Sequence, residues 1–321
     1  MSMRLRSLAL LPGLVLALAA PAIAQAQSRG GAAACNRQCL STLLTSYLDA
    51  VVANAPGRAP VTLAFRQTEN AVAVPLGGGL WQSAKALGSL QRRYFDPVTG
   101  TAAFFGTLDL ASGDTAIVSL RLHVAAGKAD EAEWHVARAS DPGIQPGSKA
   151  MFNLDNLIAS PPPEQRIVPA TERISREALL AITNSYFDGI TAADAKVIRA
   201  HPGCKRLENG MGAPPGVKND AGTGPADCLS GQGSFGVAFV AGRRYPLVDE
   251  EAQVVLAIGT FIRKPENPKW RNQFTEFFYI DHEKIREIYA AYFFAKPNQP
   301  VPNWPPYEGN FALPKELATP K

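Results

Sequence analysis

Histidine, tryptophan, methionine and cysteine each occur only four times in 321 residues. The chain therefore has few of the side chains that build common catalytic centres. His282-Glu283 continues as Lys284-Ile285-Arg286, without the second histidine of an H-E-x-x-H zinc helix. His123, His135, His201 and His282 show no metal-ligand spacing. There is no C-x-x-C and no G-x-S-x-G elbow, and Gly77-Gly78-Gly79 lacks the Lys-Ser/Thr of a phosphate loop. The run Gly231 to Gly236 spells G-x-G-x-x-G but leads into a strand-like segment, which argues against a dinucleotide loop. No metal or cofactor is expected. Charge is sparse as well: charged residues make up 19% and the net charge is +4. Without Arg4 and Arg6, which fall in a leader, this drops to about +2 (4 − 2). That field is too weak for nucleic acid, and Arg is not interleaved with aromatics along a basic stripe. The 46% of hydrophobic residues is ordinary globular content.

One long apolar run does occur. Arg4 and Arg6 precede Leu8 to Ala20, and Ala22-Ile23-Ala24 and Ala24-Gln25-Ala26 are small-x-small sites. Residues 1–26 read as a secretory leader cut near Ala24 or Ala26, which implies a periplasmic or secreted protein with no membrane segment in its mature form. An exported chain favours disulfides. Cys35, Cys39, Cys204 and Cys228 allow three complete pairings, of which 35–39 with 204–228 is the most local. The bridge 204–228 would close a Gly/Pro-rich loop and contribute roughly 3 kcal/mol through chain entropy. The bridge 35–39 requires an irregular first helical turn, because an i, i+4 pair in a regular helix fits disulfide geometry poorly.

The chain also repeats itself. Ser46-Tyr47-Leu48-Asp49 matches Ser185-Tyr186-Phe187-Asp188, and Glu69-Asn70 matches Glu208-Asn209 at the same spacing. Arg92-Arg93-Tyr94 then matches Arg243-Arg244-Tyr245, Gly106-Thr107 matches Gly259-Thr260, and Glu133-Trp134 resembles Glu276-Phe277. The spacing implies a Gly/Pro-rich insertion at Met211 to Asp227 and a longer hairpin near Gly127 to Asp130 in the first copy. Each copy opens with an amphipathic helix, marked by Leu40, Leu44, Tyr47, Leu48 and Val51 and by Ile182, Tyr186 and Ile190. Alternating segments follow: Val61 to Arg66, Ala102 to Leu110, Thr115 to Val124 and Ala132 to Ala139, then Gly236 to Val240, Gln253 to Ile262, Phe274 to Ile280 and Lys284 to Phe293. A short helix is expected after Trp81. Helix first and hairpin-connected strands afterwards predict an α+β fold with antiparallel sheets. The expected organisation is a leader over 1–26, domains over 35–158 and 174–295, a Pro-rich linker over 159–173 and a Pro-rich tail over 296–321.

This pattern resembles the nuclear transport factor 2-like superfamily, which includes SnoaL-like cyclases, ketosteroid isomerase and scytalone dehydratase. The segments Arg66-Gln67-Thr68-Glu69-Asn70, Pro75 to Trp81 and Arg243 to Glu251 are similar to a family of secreted proteins catalogued as domain of unknown function 8021. The resemblance implies two tandem cone-shaped domains, each with helices packed on a curved sheet around an apolar pocket. It supplies no activity. No aspartate or His–Asp pair aligns with the ketosteroid isomerase or scytalone dehydratase sets, and Gln67 stands where the second copy has Arg206.

Glu69 and Glu208 are candidate acid–base groups, as carboxylates at strand ends; each can instead cap a turn or pair with an arginine. Asn70 and Asn209 can contact a ligand or take a left-handed corner. Of Arg92 and Arg93, and of Arg243 and Arg244, one each should point inward, because adjacent strand residues face opposite sides. An inward arginine could clamp an anion or pair with the glutamate; Asp96 and Asp249 are further partners. Tyr47 and Tyr186 resemble the first-helix tyrosine donor of ketosteroid isomerase-like pockets, Trp81 can floor a pocket, and His135 is a strand acid–base candidate. The sequence therefore points to binding of a small organic molecule, with or without cofactor-free acid–base chemistry. The competing reading is a non-catalytic binding or assembly module with filled pockets.

Overall fold

The computed structural model describes residues 35–212, 227–230, 236–266 and 270–295. The leader, most of the Met211–Asp227 insertion, Gly231 to Phe235 of the G-x-G-x-x-G run and the tail lie outside them. Helix α1 spans Arg37–Val52 and turns Leu40, Leu44, Tyr47, Leu48 and Val51 inward. Asn36 caps it by accepting from Cys39 N at 3.0 Å. Cys35 bonds Cys39 from outside the helix, with Cα atoms 5.3 Å apart, and this non-helical residue removes the conflict of an i, i+4 bridge. The other disulfide joins Cys204 to Cys228. The short helix α2 spans Leu154–Ala159. Helix α3 spans Arg176–Ala192, is capped by Ser175 and buries Leu179, Ile182, Tyr186, Phe187 and Ile190.

The architecture is mixed α+β with two sheets and few helices. The first sheet holds β1 (Val61–Glu69), β2 (Val72–Val74), β3 (Ala84–Asp96), β4 (Thr101–Leu110), β5 (Thr115–Ala125) and β6 (Lys128–Ala137). Its order is β2-β1-β6-β5-β4-β3. The second holds β7 (Ala200–Glu208), β8 (Val237–Asp249), β9 (Val254–Arg263), β10 (Arg271–Asp281) and β11 (Lys284–Ala295), in the order β7-β11-β10-β9-β8. The long strands are antiparallel as expected. β1 and β7 are the exceptions: each runs parallel to the last strand of its sheet, because the chain crosses the whole sheet before that strand returns beside it. In place of the short helix expected after Trp81, Trp81 itself lies in a 3-10 turn, Gly79–Gln82, and the 13-residue β3 starts at Ala84.

The ladders correct the end of the internal alignment. Leu120 of β5 faces Trp134 of β6, and Glu276 of β10 faces Ala290 of β11. Glu133-Trp134 therefore corresponds to Tyr289-Ala290 and not to Glu276-Phe277. The hairpins Ala125↔Lys128 and Asp281↔Lys284 are equally tight. The length difference instead lies between β9 and β10, where residues 264–270 stand against 111–114 between β4 and β5. Irregularities in β8 at Ala241/Arg244 and Arg244/Leu247 shift the arginines too. Arg244 opposes Ile258 as Arg92 opposes Phe105, while Leu247 takes the position of Tyr94.

Each sheet has a helix side and a second apolar side. Tyr47, Trp81, Phe104, Leu120, Trp134 and Val136 form the core under α1. Tyr186, Phe187, Phe274, Phe278 and Ile288 form the core with α3. The other two faces share a third core, where Tyr94, Phe105 and Ile117 meet Phe277, Tyr279 and Tyr289. Alternation along the strands assigns these faces. Arg37 holds Asp249 at 2.7 and 3.0 Å, and Arg176 holds Asp96 at 3.1 and 2.7 Å. The aspartates also accept from Phe95 N and Val248 N, respectively. The contact has the reciprocity of a two-fold interface within a single chain.

Candidate functional site

In the first half, the residues expected around a pocket satisfy one another. Gln67 Oε1 accepts from Tyr47 Oη at 3.0 Å and from Trp81 Nε1 at 3.1 Å, and Gln67 Nε2 donates to Pro75 O. Trp134 Nε1 points at Tyr47 Oη at 3.4 Å. Trp81 meets the Tyr47 ring edge-on at 5.5 Å between centroids. Tyr47, Trp81 and Trp134 are all buried, and burial raises the Tyr47 phenol far above its ordinary range. Glu69 accepts from Arg138 Nη2 at 2.7 Å and from Leu80 N at 2.6 Å. It thus caps the 3-10 turn and forms an ion pair, and Gly79, at φ +62°, leaves space for its carboxylate.

The equivalent positions of the second half have different chemistry. Arg206 replaces Gln67 and donates to Tyr186 Oη at 2.7 Å. Tyr186 accepts this bond and keeps its own proton, for which the described residues offer no hydrogen-bonded acceptor. Glu276 stands where the first half has Leu120, and Ala290 where it has Trp134. Across the sheet, Glu276 faces Ala290 and Ala290 faces Glu208. Two carboxylates on one face thus flank a small residue, about 10 Å apart by strand spacing. Glu208 lies 3.8 Å from Arg206 Nε and keeps 20% of its side chain exposed. Glu276 is 1% exposed, and among the described residues its Oε2 has no hydrogen-bond partner. Burial, then the Glu208 charge, raise the Glu276 carboxyl well above its usual range, against the pull of Arg206. A shift in this direction favours the protonated carboxyl, the form that can donate a hydrogen bond. Sequence reasoning did not single out Glu276. The available signal was its place in the inward series Phe274, Glu276, Phe278.

The remaining candidates lie elsewhere. Asn70 and Asn209 take left-handed corners at φ 48° and 49°. Each bonds the backbone of the last strand through both ends of its amide, at Val136 and at Tyr292. Arg93 and Arg243 face the helix side, and Arg243 binds Asn184 and Asp188 of α3. Arg92 and Arg244 face the core between the sheets. Arg92 donates to the carbonyls of Pro162 and Pro163, and Arg244 grips Glu133 at 3.0 and 2.6 Å. Burial alone would raise Glu133, but Arg244 overrides it and holds the carboxyl below its usual range. None of the four Arg-Arg residues forms an ion pair with Glu69 or Glu208 among the described residues. His135 must be separated from Tyr47: Trp134 and Val136 point to the α1 side, so His135 points to the other and meets Phe293 at 5.5 Å. Burial lowers its pKa to about 4.

The fold also gathers His201, Asp281 and His282, whose potential ligand atoms lie within 4.8 Å of one another. His201 Nε2 is 2.7 Å from Asp281 Oδ1, and Arg286 also reaches Asp281. No helix among the described residues is long and apolar enough to cross a membrane.

Residues 172–292 match a protein family described as Domain of unknown function (DUF8021). They cover α3 and the second sheet almost completely. A solved structure from Methylobium petroleophilum PM1, a protein of unknown function with a cystatin-like fold, is similar at 12% identity and a TM-score of 0.29, covering 43% of this chain and 99% of that one. No curated protein matches the chain.

Proposed function

We propose that the protein is exported and built from two tandem SnoaL-like, cone-shaped domains, 35–158 and 174–295, of which the second binds a small organic molecule. The leader-like residues 1–26 and the two disulfides support export. The shared helix and strand order of the two sheets supports the tandem reading. The observation that carries the ligand reading is the buried Glu276 carboxyl, whose Oε2 has no hydrogen-bond partner among the described residues, in electrostatic reach of the Arg206–Tyr186 pair. Tyr186 polarised by Arg206 and protonated Glu276 are two donors suited to a carbonyl or enolate oxygen. Glu208, on the far side of Ala290, is the group left to accept a proton, giving cofactor-free lyase or isomerase-type chemistry a possible acid–base set.

The competing reading, a non-catalytic module, is favoured for the first half by the closed Tyr47–Gln67–Trp81 network. We assign that half a structural role. Native mass spectrometry of molecules retained by the purified protein tests the proposal. Retention should be lost in Glu276→Gln and Tyr186→Phe and kept in Glu69→Gln. Retention unchanged by both second-half variants would remove this site.

A further inference from the structure

A cavity lies away from that cluster, at the seam between the two sheets. It encloses about 230 Å³, below the usual range for drug-sized ligands. Its wall includes Tyr94 of β3 and Tyr279 of β10, whose hydroxyls are 2.6 Å apart. The pair carries two phenol protons and uses one between its members. Among the described residues neither hydroxyl has another hydrogen-bond partner, so one proton is left for an acceptor. Both side chains are almost fully buried. Val168, Val254 and Ile280 give the cavity an apolar wall, and Arg166 and Arg286 add guanidinium groups. Asp281 and Glu164 also line it; Asp281 is engaged by His201 and Arg286, and Arg286 also reaches Glu287, which leaves Arg166 as the lining guanidinium with no ion pair among the described residues.

The chain between the halves forms one side of this cavity. Its carbonyls at Pro162 and Pro163 are held by Arg92, and Val168 N donates to Glu251 O at 2.8 Å. The cavity chemistry is not duplicated: ladder partners place Leu247 at the position of Tyr94 and His123 at that of Tyr279. We infer that this seam cavity binds a small organic monocarboxylate, its carboxylate taken by the free phenol proton and Arg166, with the already paired Arg286 adding positive charge beside it, and its body by the apolar wall.

Isothermal titration of the full protein with benzoate, and with benzyl alcohol as the uncharged comparison, tests this inference. Benzoate should bind saturably, and benzyl alcohol about tenfold more weakly or not at all. Tyr94→Phe/Tyr279→Phe removes both buried partners with little change of shape and should fold; it should weaken benzoate at least about tenfold. Arg166→Gln/Arg286→Gln, at the more exposed rim, should do the same and covers the case in which the phenylalanine pair does not fold. Glu276→Gln and Tyr186→Phe should leave benzoate binding unchanged, which separates this site from the one proposed above. Absence of benzoate binding, or binding that survives the seam substitutions or is lost with the second-half substitutions, would overturn the inference.

Discussion

Arg37 at the first turn of α1 holds Asp249 at the end of β8 in a two-point contact of 2.7 and 3.0 Å. The second half answers with Arg176 on Asp96. Each aspartate is buried and also takes a backbone N–H from the opposite sheet. Removing Asp249 leaves the Phe95 and Ala252 N–H groups without their acceptor and leaves Arg37 with only the half-exposed Glu251. Asp249→Ala should therefore cost about 3 kcal/mol in urea unfolding. Because Phe95 and Asp96 are neighbours, Asp96→Ala/Asp249→Ala should deviate from additivity by at least about 0.5 kcal/mol. Strict additivity would show the two pairs to be independent.

His135 gives the stability a dependence on acid. Its folded pKa is about 4 against an ordinary 6.5, so the unfolded chain binds the proton first. The contribution is complete above about pH 6.5 and disappears as pH falls through 4, a loss of about 3 kcal/mol. His135→Leu should lack this part of the acid loss. Parallel stability–pH curves for variant and wild type between pH 7 and 4 would contradict it.

Glu276 acts in the opposite direction. Its folded carboxyl is raised above 4.5, so the folded chain holds the proton that the unfolded chain releases. Stability should fall as pH rises from about 4.5 toward the folded value. Glu276→Gln should gain on the wild type over that interval and match it below. Denaturation at pH 4 and pH 8 measures the difference.

Ala290→Leu should fill the interval between Glu276 and Glu208. We expect loss of any retained small molecule while the melting transition stays cooperative. Retention with Leu in place would mean that the ligand does not occupy that interval.

Reducing the two disulfides should have unequal effects. Cys204–Cys228 closes 24 residues of chain and Cys35–Cys39 only 4. Cys204→Ser/Cys228→Ser should cost about 3 kcal/mol, and Cys35→Ser/Cys39→Ser less. Equal losses in thermal melts would contradict the chain-entropy argument.

The residues legible in the sequence were those fixed by local geometry. The helix tyrosines recur because both sit under a sheet, and Glu-Asn recurs because both asparagines turn the same left-handed corner. β3 was harder to delimit, since register shifts at Ala84/Ala86 and Leu87/Gln91 break its alternation. Glu276 was hidden by a false match: its letters resemble Glu133, yet Glu133 faces the other sheet and Glu276 faces α3. An insertion between β9 and β10 changed the register without leaving a motif. Which of two adjacent strand residues faces inward depends on such pairing, and the tyrosine pair at the seam depends on contacts 185 residues apart.

The reciprocal arginine–aspartate contacts have an evolutionary consequence. In a dimer of identical subunits, every substitution appears on both sides of the two-fold axis. Here each side has its own codon, so Trp134 can stand in one interior where Ala290 stands in the other. Covalent joining also makes the contact insensitive to dilution. The interface can stay nearly symmetric while the two interiors diverge.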